Sequence, residues 1–239
     1  MTEKFIHLIA AVLLVAVCIQ SRPRDVAGAG IPGSVFTSKA TQQRVVALTF
    51  DDGPSLYTRP VLQILRIHRV HATFFVIGRQ VARDPAAVRA VVAAGDEIGN
   101  HTYTHTDLEF LNEAADAAEL TRTDAAVEAA SGTIPLWFRP PYGAIDGRIA
   151  RLAASVGLQP ITWSVDPADW SLPGTSLIVS RVLLQVRPGG VILLHDGGGN
   201  RSETLAALPS IVEILQARGY HFLTLSELFG AVPMPVPPR

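Results

Sequence analysis

The chain has 239 residues, of which 48% are hydrophobic and 17% charged, and its formal net charge is −1 at pH 7. This composition can bury a large core, so global disorder is excluded, and the nearly neutral charge provides no electrostatic footprint for nucleic acid. The single cysteine, Cys18, excludes a disulfide framework and a cysteine-based zinc site. Any metal chemistry must therefore use histidine and carboxylate ligands.

The N-terminal segment is apolar. Residues 5–19 are interrupted only by His7 and are preceded by Lys4. This length fits the apolar region of a secretory signal, about 7–15 residues, better than the roughly 20 residues of a spanning helix. We predict that residues 1–29 are a signal peptide or a membrane anchor, with a lipid anchor at Cys18 as a third alternative. All three place the remaining chain outside the cytoplasm, secreted or anchored to the cell envelope.

Residues 30–43 are rich in Gly, Ser, Thr and Pro without periodicity, which predicts a linker. From Arg44 onwards, short β-branched or apolar runs alternate with helical patterns. The predicted strands cover residues 44–50, 72–77, 97–100, 137–139, 159–164, 190–194 and 220–224. The predicted helices cover residues 60–68, 85–94, 111–130, 147–156, 176–186 and 202–218. The tail, residues 231–239, carries four prolines and cannot continue a helix.

The predicted helix over residues 85–94 has capping signals at both ends. Asp84 suits the N-cap, Pro85 the first helical position, and Gly95 stands just past the end. About seven strand–helix units predict a single α/β domain over residues 44–230, with a parallel sheet covered by helices. This pattern alone does not separate a closed barrel from an open, doubly wound sheet. Polar clusters follow the first, third, fourth, fifth and sixth strands, and a barrel would gather those ends on one face.

These clusters are the candidate functional residues. They are TFDDGP at residues 49–54, HTYTH at 101–105, RPPYG at 139–143, DPADW at 166–170 and LLHD at 193–196. His101 and His105 stand at i and i+4, so on one helical turn both imidazoles would face the same side. That spacing suits a divalent metal, although an exposed or core pair without function is an equal alternative.

Two adjacent carboxylates strengthen the metal hypothesis. Asp51 and Asp52 point in different directions, so one can bind a metal while the other stays free as a base. A solvated turn or a helix N-cap is the alternative for such a sequence. Two histidines and one aspartate together would leave open coordination positions for water and substrate.

The remaining clusters contain groups that are costly to bury alone. Arg139 ends a strand among apolar neighbours, so we expect it to meet a carboxylate, either at a functional site or in a structural salt bridge. His195 follows an apolar run and could be a satisfied core histidine. Trp170, beside Asp169, lies in a loop after a strand, where aromatic residues often contact ligands, although it could also belong to the core.

In this order and spacing, the five clusters resemble the polysaccharide deacetylases of carbohydrate esterase family four, the NodB-homology domain. The resemblance covers roughly residues 44–229. It implies a distorted (β/α) barrel and hydrolysis of N-acetyl groups on amino sugars. It also implies a divalent metal ion, with Zn²⁺ preferred and Co²⁺, Mn²⁺ or Ni²⁺ as alternatives.

The resemblance also implies a role for each residue that matches a family motif. Asp51 would be the base and His195 the acid. Arg139 would orient the base, and Asp169 would tune the acid. The implied metal ligands are Asp52, His101 and His105, and the residues that would frame the acetyl pocket are Tyr142, Trp170 and Leu193.

The sequence therefore predicts an extracytoplasmic, metal-dependent hydrolase that removes N-acetyl groups from N-acetylglucosamine-containing polysaccharide such as peptidoglycan, chitin or chitooligosaccharide. Neither nucleic acid nor a protein partner is implied, and contact with a membrane is expected only through the N-terminal segment. One alternative is an O-acetyl xylan esterase of the same family. Another is a non-catalytic glycan-binding envelope protein, against which intact Asp51 and His195 argue because binding alone needs neither a base nor an acid.

Overall fold

A computed structural model describes residues 34–231 of the chain. The predicted signal or anchor over residues 1–29 and nearly all of the proline-rich tail lie outside the described residues. The described part of the predicted linker contacts the rest of the domain. Phe36 packs edge-on against Trp137, and its N–H donates to the Pro160 carbonyl at 3.0 Å.

The order of strands and helices matches the predicted alternation. The strands are β1 (Val45–Gly53), β2 (Thr73–Val76), β3 (Glu97–Asn100), β4 (Trp137–Phe138), β5 (Gln159–Pro160), β6 (Gly190–His195) and β7 (His221–Phe222). The helices are α1 (Thr58–His68), α2 (Gly78–Arg83), α3 (Pro85–Ala93), α4 (Glu113–Ser131), α5 (Gly147–Ser155), α6 (Thr175–Gln185), α7 (Ser202–Ala217) and α8 (Leu225–Phe229). No helix within residues 34–231 combines the length and hydropathy that crossing a bilayer requires.

The strands form one parallel sheet that curls into a distorted barrel. Its order is β5-β4-β3-β2-β1-β6, and β7 pairs with the first two residues of β1. Beyond β5, a parallel bridge between Val165 and Ile192 joins the continuing chain to β6. The segment that follows β5 thus reaches the opposite edge of the sheet at β6, and the predicted distorted barrel is confirmed.

Some elements differ from the prediction. The fifth strand is limited to Gln159–Pro160 because Ile161 bridges to Phe36, after which the chain crosses to β6 at Val165. The short helices α2 and α8 were not predicted, since five or six residues carry little periodicity. The predicted start of α3 is confirmed: the Asp84 side chain accepts the Ala87 N–H at 3.0 Å.

Side chains of β1 point alternately towards the surrounding helices and towards the barrel interior, which explains how polar residues reach the inner side at the end of the strand. Val46, Leu48 and Phe50 pack in the apolar layer between the sheet and the surrounding helices. Full burial of each such side chain stabilises the fold by about 1.5–3 kcal/mol. The intervening residues face the barrel interior, so the strand delivers Thr49 and Asp51 to the inner side at its carboxyl end.

Candidate active site

The predicted site residues meet in one cavity of about 420 Å³ at the carboxyl ends of the strands. Its lining comprises Asp51, Asp52, His101, His105, Tyr142, Trp170, Leu193 and His195, together with Pro140, Trp163 and Asp166. Arg139 and Asp169 are fully buried behind the lining. All ten predicted residues are therefore brought together. A second cavity of about 480 Å³, beside the start of β3, contains none of them.

Three side chains of the cavity form a candidate metal site. Oδ1 of Asp52 lies 3.1 Å from Nε2 of His105 and 3.5 Å from Nε2 of His101. One ligand atom from each residue lies within 4.8 Å of the other two. Asp52 Oδ1 is buried and has no hydrogen-bond partner of good geometry among the described residues. A buried carboxylate oxygen facing two imidazoles is a donor set that fits a divalent cation.

The surroundings favour a cation at this position. Nδ1 of His101 donates to the Arg139 carbonyl at 2.7 Å, which leaves the Nε2 lone pair directed to the cluster. Burial alone would raise the pKa of Asp52, but the two adjacent imidazoles of His101 and His105 hold it well below its usual range. Burial would likewise lower the pKa of His101, and Asp51 and Asp52 raise it instead.

The two histidines are not on a helical turn, and the prediction that one turn aligns them is wrong. They lie in a loop after β3, in which Thr102 and His105 both have φ of +63°. The Asn100 side chain accepts the Thr102 N–H at 2.9 Å, and the Thr102 hydroxyl accepts the His105 N–H at 3.1 Å. This loop brings the two imidazole rings to 4.9 Å between centroids.

Asp51 is held by a buried arginine. Nη1 of Arg139 donates to Oδ1 of Asp51 at 2.8 Å and to the Thr49 hydroxyl at 2.7 Å. Nη2 of Arg139 donates to the Thr162 carbonyl at 2.9 Å, and the guanidinium lies 4.2 Å over the Phe75 ring. The guanidinium therefore has the carboxylate partner that a buried cation requires. The other Asp51 oxygen, Oδ2, lies 3.7 Å from Nε2 of His101.

His195 forms a pair with Asp169. Nδ1 of His195 donates to Oδ1 of Asp169 at 2.7 Å, which leaves Nε2 as the free ring nitrogen. Oδ2 of Asp169 accepts the His195 backbone N–H at 2.9 Å and the Thr204 hydroxyl at 2.7 Å. Burial lowers the pKa of His195, but the hydrogen bond and charge of Asp169 raise it above its usual value.

A glycine-rich loop after β6 forms the wall behind Asp52. A Cβ on Gly198, whose φ is +72°, would lie 2.1 Å from Oδ2 of Asp52, so only glycine fits there. The buried guanidinium of Arg201 donates to the carbonyls of Gly197 at 2.6 Å and Gly198 at 3.0 Å. Sequence reasoning missed this loop, although three consecutive glycines directly after the LLHD cluster are a visible signal.

Three further lining residues, Pro140, Trp163 and Asp166, had no role assigned to them from the sequence. Pro140 and Asp166 lie inside clusters that were singled out, so their neighbourhood could have indicated them. Trp163 carried no local signal, because it reaches the cavity only through the path of the chain from β5 towards β6.

Comparisons with known proteins give a consistent result. The family model described as polysaccharide deacetylase matches residues 38–161. The peptidoglycan-N-acetylglucosamine deacetylase of Bacillus cereus is 40% identical, over 82% of this chain and 93% of its own. The chitooligosaccharide deacetylase of Bradyrhizobium sp. is 42% identical, over 77% of this chain and 90% of its own. The crystal structure of a peptidoglycan N-acetylglucosamine deacetylase superposes with a TM-score of 0.81 at 34% identity, covering 83% of this chain and 94% of the other.

Proposed function

The chain belongs to the polysaccharide deacetylase family. We propose that it hydrolyses N-acetyl groups of N-acetylglucosamine-containing polysaccharide with the help of a divalent metal ion. The observation that carries the proposal is the joint presence in one cavity of a metal-ligand cluster, a carboxylate outside that cluster, and a histidine paired with a buried aspartate. A cavity that only binds a glycan would need none of these three.

Asp52, His101 and His105 would hold the metal. Two imidazoles and a carboxylate suit Zn²⁺, which is our proposed ion, and the same ligands accept Co²⁺, Mn²⁺ or Ni²⁺. When bound, such an ion polarises an amide carbonyl and makes a water molecule more acidic. Polarisation by the ion makes hydrolysis easier, because an amide carbonyl is by itself a poor electrophile.

Asp51 would act as the base. Arg139 holds Oδ1 at 2.8 Å, which fixes the carboxylate and leaves Oδ2 as the atom that accepts a proton from the attacking water. Because Arg139 is buried and planar, its pairing with Asp51 sets the direction of the carboxylate as well as its charge.

His195 would act as the acid. The leaving group is an amine, which departs only after its nitrogen receives a proton. Asp169 accepts a hydrogen bond from the Nδ1–H of His195, so the proton on Nε2 is the one transferred to the sugar nitrogen. The raised pKa of His195 favours the protonated form that the step requires.

The substrate acetyl group would lie between Tyr142, Trp170 and Leu193. Tyr142 and Trp170 are largely exposed at the cavity mouth, while Leu193 is buried at its base. The Tyr142 backbone, which has φ of +61°, would direct its N–H to the developing oxyanion. Sugar hydroxyls would remain at the mouth, in contact with the aromatic rings.

We also propose that the enzyme works outside the cytoplasm, either secreted or attached to the envelope through residues 1–29. The relative in Bacillus cereus is named for peptidoglycan, a polymer that lies outside the cell membrane. The apolar run at residues 5–19 supports the same location.

The test is release of acetate by the full chain from peptidoglycan, chitin oligomers and acetylxylan, each with and without a chelator. We expect acetate from at least one amino-sugar polymer and none after chelation. Release from acetylxylan alone would identify an O-acetyl esterase. No release from any of the three, by protein that binds metal, would favour a glycan-binding protein without catalysis.

A further inference from the structure

The loop between the two histidine ligands has nearly all of its backbone groups paired. The carbonyls of Thr102 and Tyr103 accept the N–H groups of Gly78 and Arg79 at 3.0 Å each, in the first turn of α2. Two of its amides are satisfied locally, those of Thr102 and His105. The two amides that remain, at positions 103 and 104, need an acceptor from elsewhere in the chain.

That acceptor is Glu119, a buried residue in the second turn of α4. Its Oε2 accepts the Tyr103 N–H at 2.9 Å and the Thr104 N–H at 2.7 Å. Hydrogen bonds to an ionised acceptor are shorter and about twice as strong as neutral ones. A single carboxylate oxygen thus binds two consecutive amides in the middle of the loop, from a helix that supplies no residue to the cavity lining.

The loop needs this support because its conformation is unfavourable by itself. Thr102 and His105 both adopt the left-handed region, which a residue with a Cβ occupies only when its surroundings impose it. One of the two is itself a metal ligand. The direction of the His105 imidazole, and its 3.1 Å approach to Asp52, therefore depend on a backbone that would relax if the central amides were released.

We propose that Glu119 is a positioning residue of the metal site, which holds residues 103 and 104 so that the two flanking histidines converge on Asp52. This inference rests on the metal site of the proposed function. Glu119 does not bind the ion. Its carboxylate acts on affinity by restricting the loop to the one conformation in which all three ligands meet, as groups behind a metal ligand commonly do.

The experiment measures the Zn²⁺ dissociation constant of the full chain by competition with a chromophoric chelator, together with the melting temperature. For Glu119→Ala we expect the constant to rise about 10–100-fold. Glu119→Gln keeps the length and one carbonyl acceptor, so we expect it to restore most of the affinity, within about tenfold of wild type. If the alanine variant does not fold, Glu119→Asp replaces it, because it keeps the charge but withdraws the carboxylate by one methylene.

The matched control is Asn112→Ala, which removes the N-cap of α4, where the Asn112 side chain accepts the Ala115 N–H at 3.0 Å. This variant should lower the melting temperature and leave Zn²⁺ affinity unchanged. The inference is overturned if folded Glu119→Ala, or the Asp replacement, binds Zn²⁺ within about tenfold of wild type, or if Asn112→Ala loses as much affinity. If wild type itself binds no Zn²⁺, the proposed metal site fails first.

Discussion

Replacing Asp51 by Asn separates the base from the metal ligands. The substitution keeps the size of the side chain and an oxygen for Arg139, but the amide cannot accept a proton from water. A positioned base contributes about 10²–10⁴-fold to the rate, so turnover should fall by that factor. The metal should remain bound, because Asp51 lies outside the group of three ligand atoms, with Oδ2 3.7 Å from Nε2 of His101.

The same substitution should lower stability. Removing one partner of a buried ion pair costs about 3–5 kcal/mol when nothing replaces it. Here the Asn oxygen can still accept from Nη1 of Arg139, and the bonds from Arg139 to Thr49 and Thr162 remain. We therefore expect a loss of about 1.5–3 kcal/mol in the free energy of unfolding, the contribution of a hydrogen bond to a charged group.

Asp52→Ala is the matched comparison. It removes the carboxylate that both histidines approach, so metal content should fall, and excess Zn²⁺ should restore part of any activity lost through dissociation of the ion. The assay measures bound metal by elemental analysis, acetate release, and urea unfolding for both variants. The reasoning is refuted if Asp51→Asn loses the metal while Asp52→Ala keeps it, because the two carboxylates would then have exchanged roles.

Four further outcomes are expected. Activity should fall as pH rises through the raised pKa of His195, since only the protonated imidazole can donate a proton. Asp169→Asn should shift this alkaline limb of the pH profile to lower pH and lower kcat about 10²-fold or more. A limb that does not move would exclude His195 as the acid. Removal of metal by chelation should lower the melting temperature, because an ion present at 100 times its Kd raises the free energy of unfolding by about 2.7 kcal/mol. An unchanged melting temperature would argue against the metal site. Gly198→Ala should weaken Zn²⁺ binding through the clash with Asp52, and calorimetry showing wild-type affinity would contradict this. Residues 1–43 fused to a reporter should carry it across the membrane, and reporter activity confined to the cytoplasm would disprove export.

Local patterns were enough to place most of the elements. The cap formed by Asp84 and Pro85 predicted the start of α3, because an N-cap depends only on a few neighbouring residues. The capping box of Thr224 and Glu227 is an equally local signal and would have predicted α8. Tertiary contacts, by contrast, determined that β5 ends at Pro160, because Ile161 bridges to Phe36 and the chain then crosses to β6 at Val165 instead of extending the strand.

The sequence by itself determined the types of residue available for chemistry and their places at strand ends, since alternation and turn residues are local properties of the chain. Only the tertiary structure decided which of them touch. Asp51 meets Arg139, 88 positions away, because closure of the sheet brings the ends of β1 and β4 to one cavity. The tertiary structure also places His101 and His105 in a loop instead of the expected helical turn. Glu119, on the distant helix α4, accepts two backbone N–H groups of this loop. Such contacts between residues far apart in sequence depend on three-dimensional packing, which no local pattern encodes.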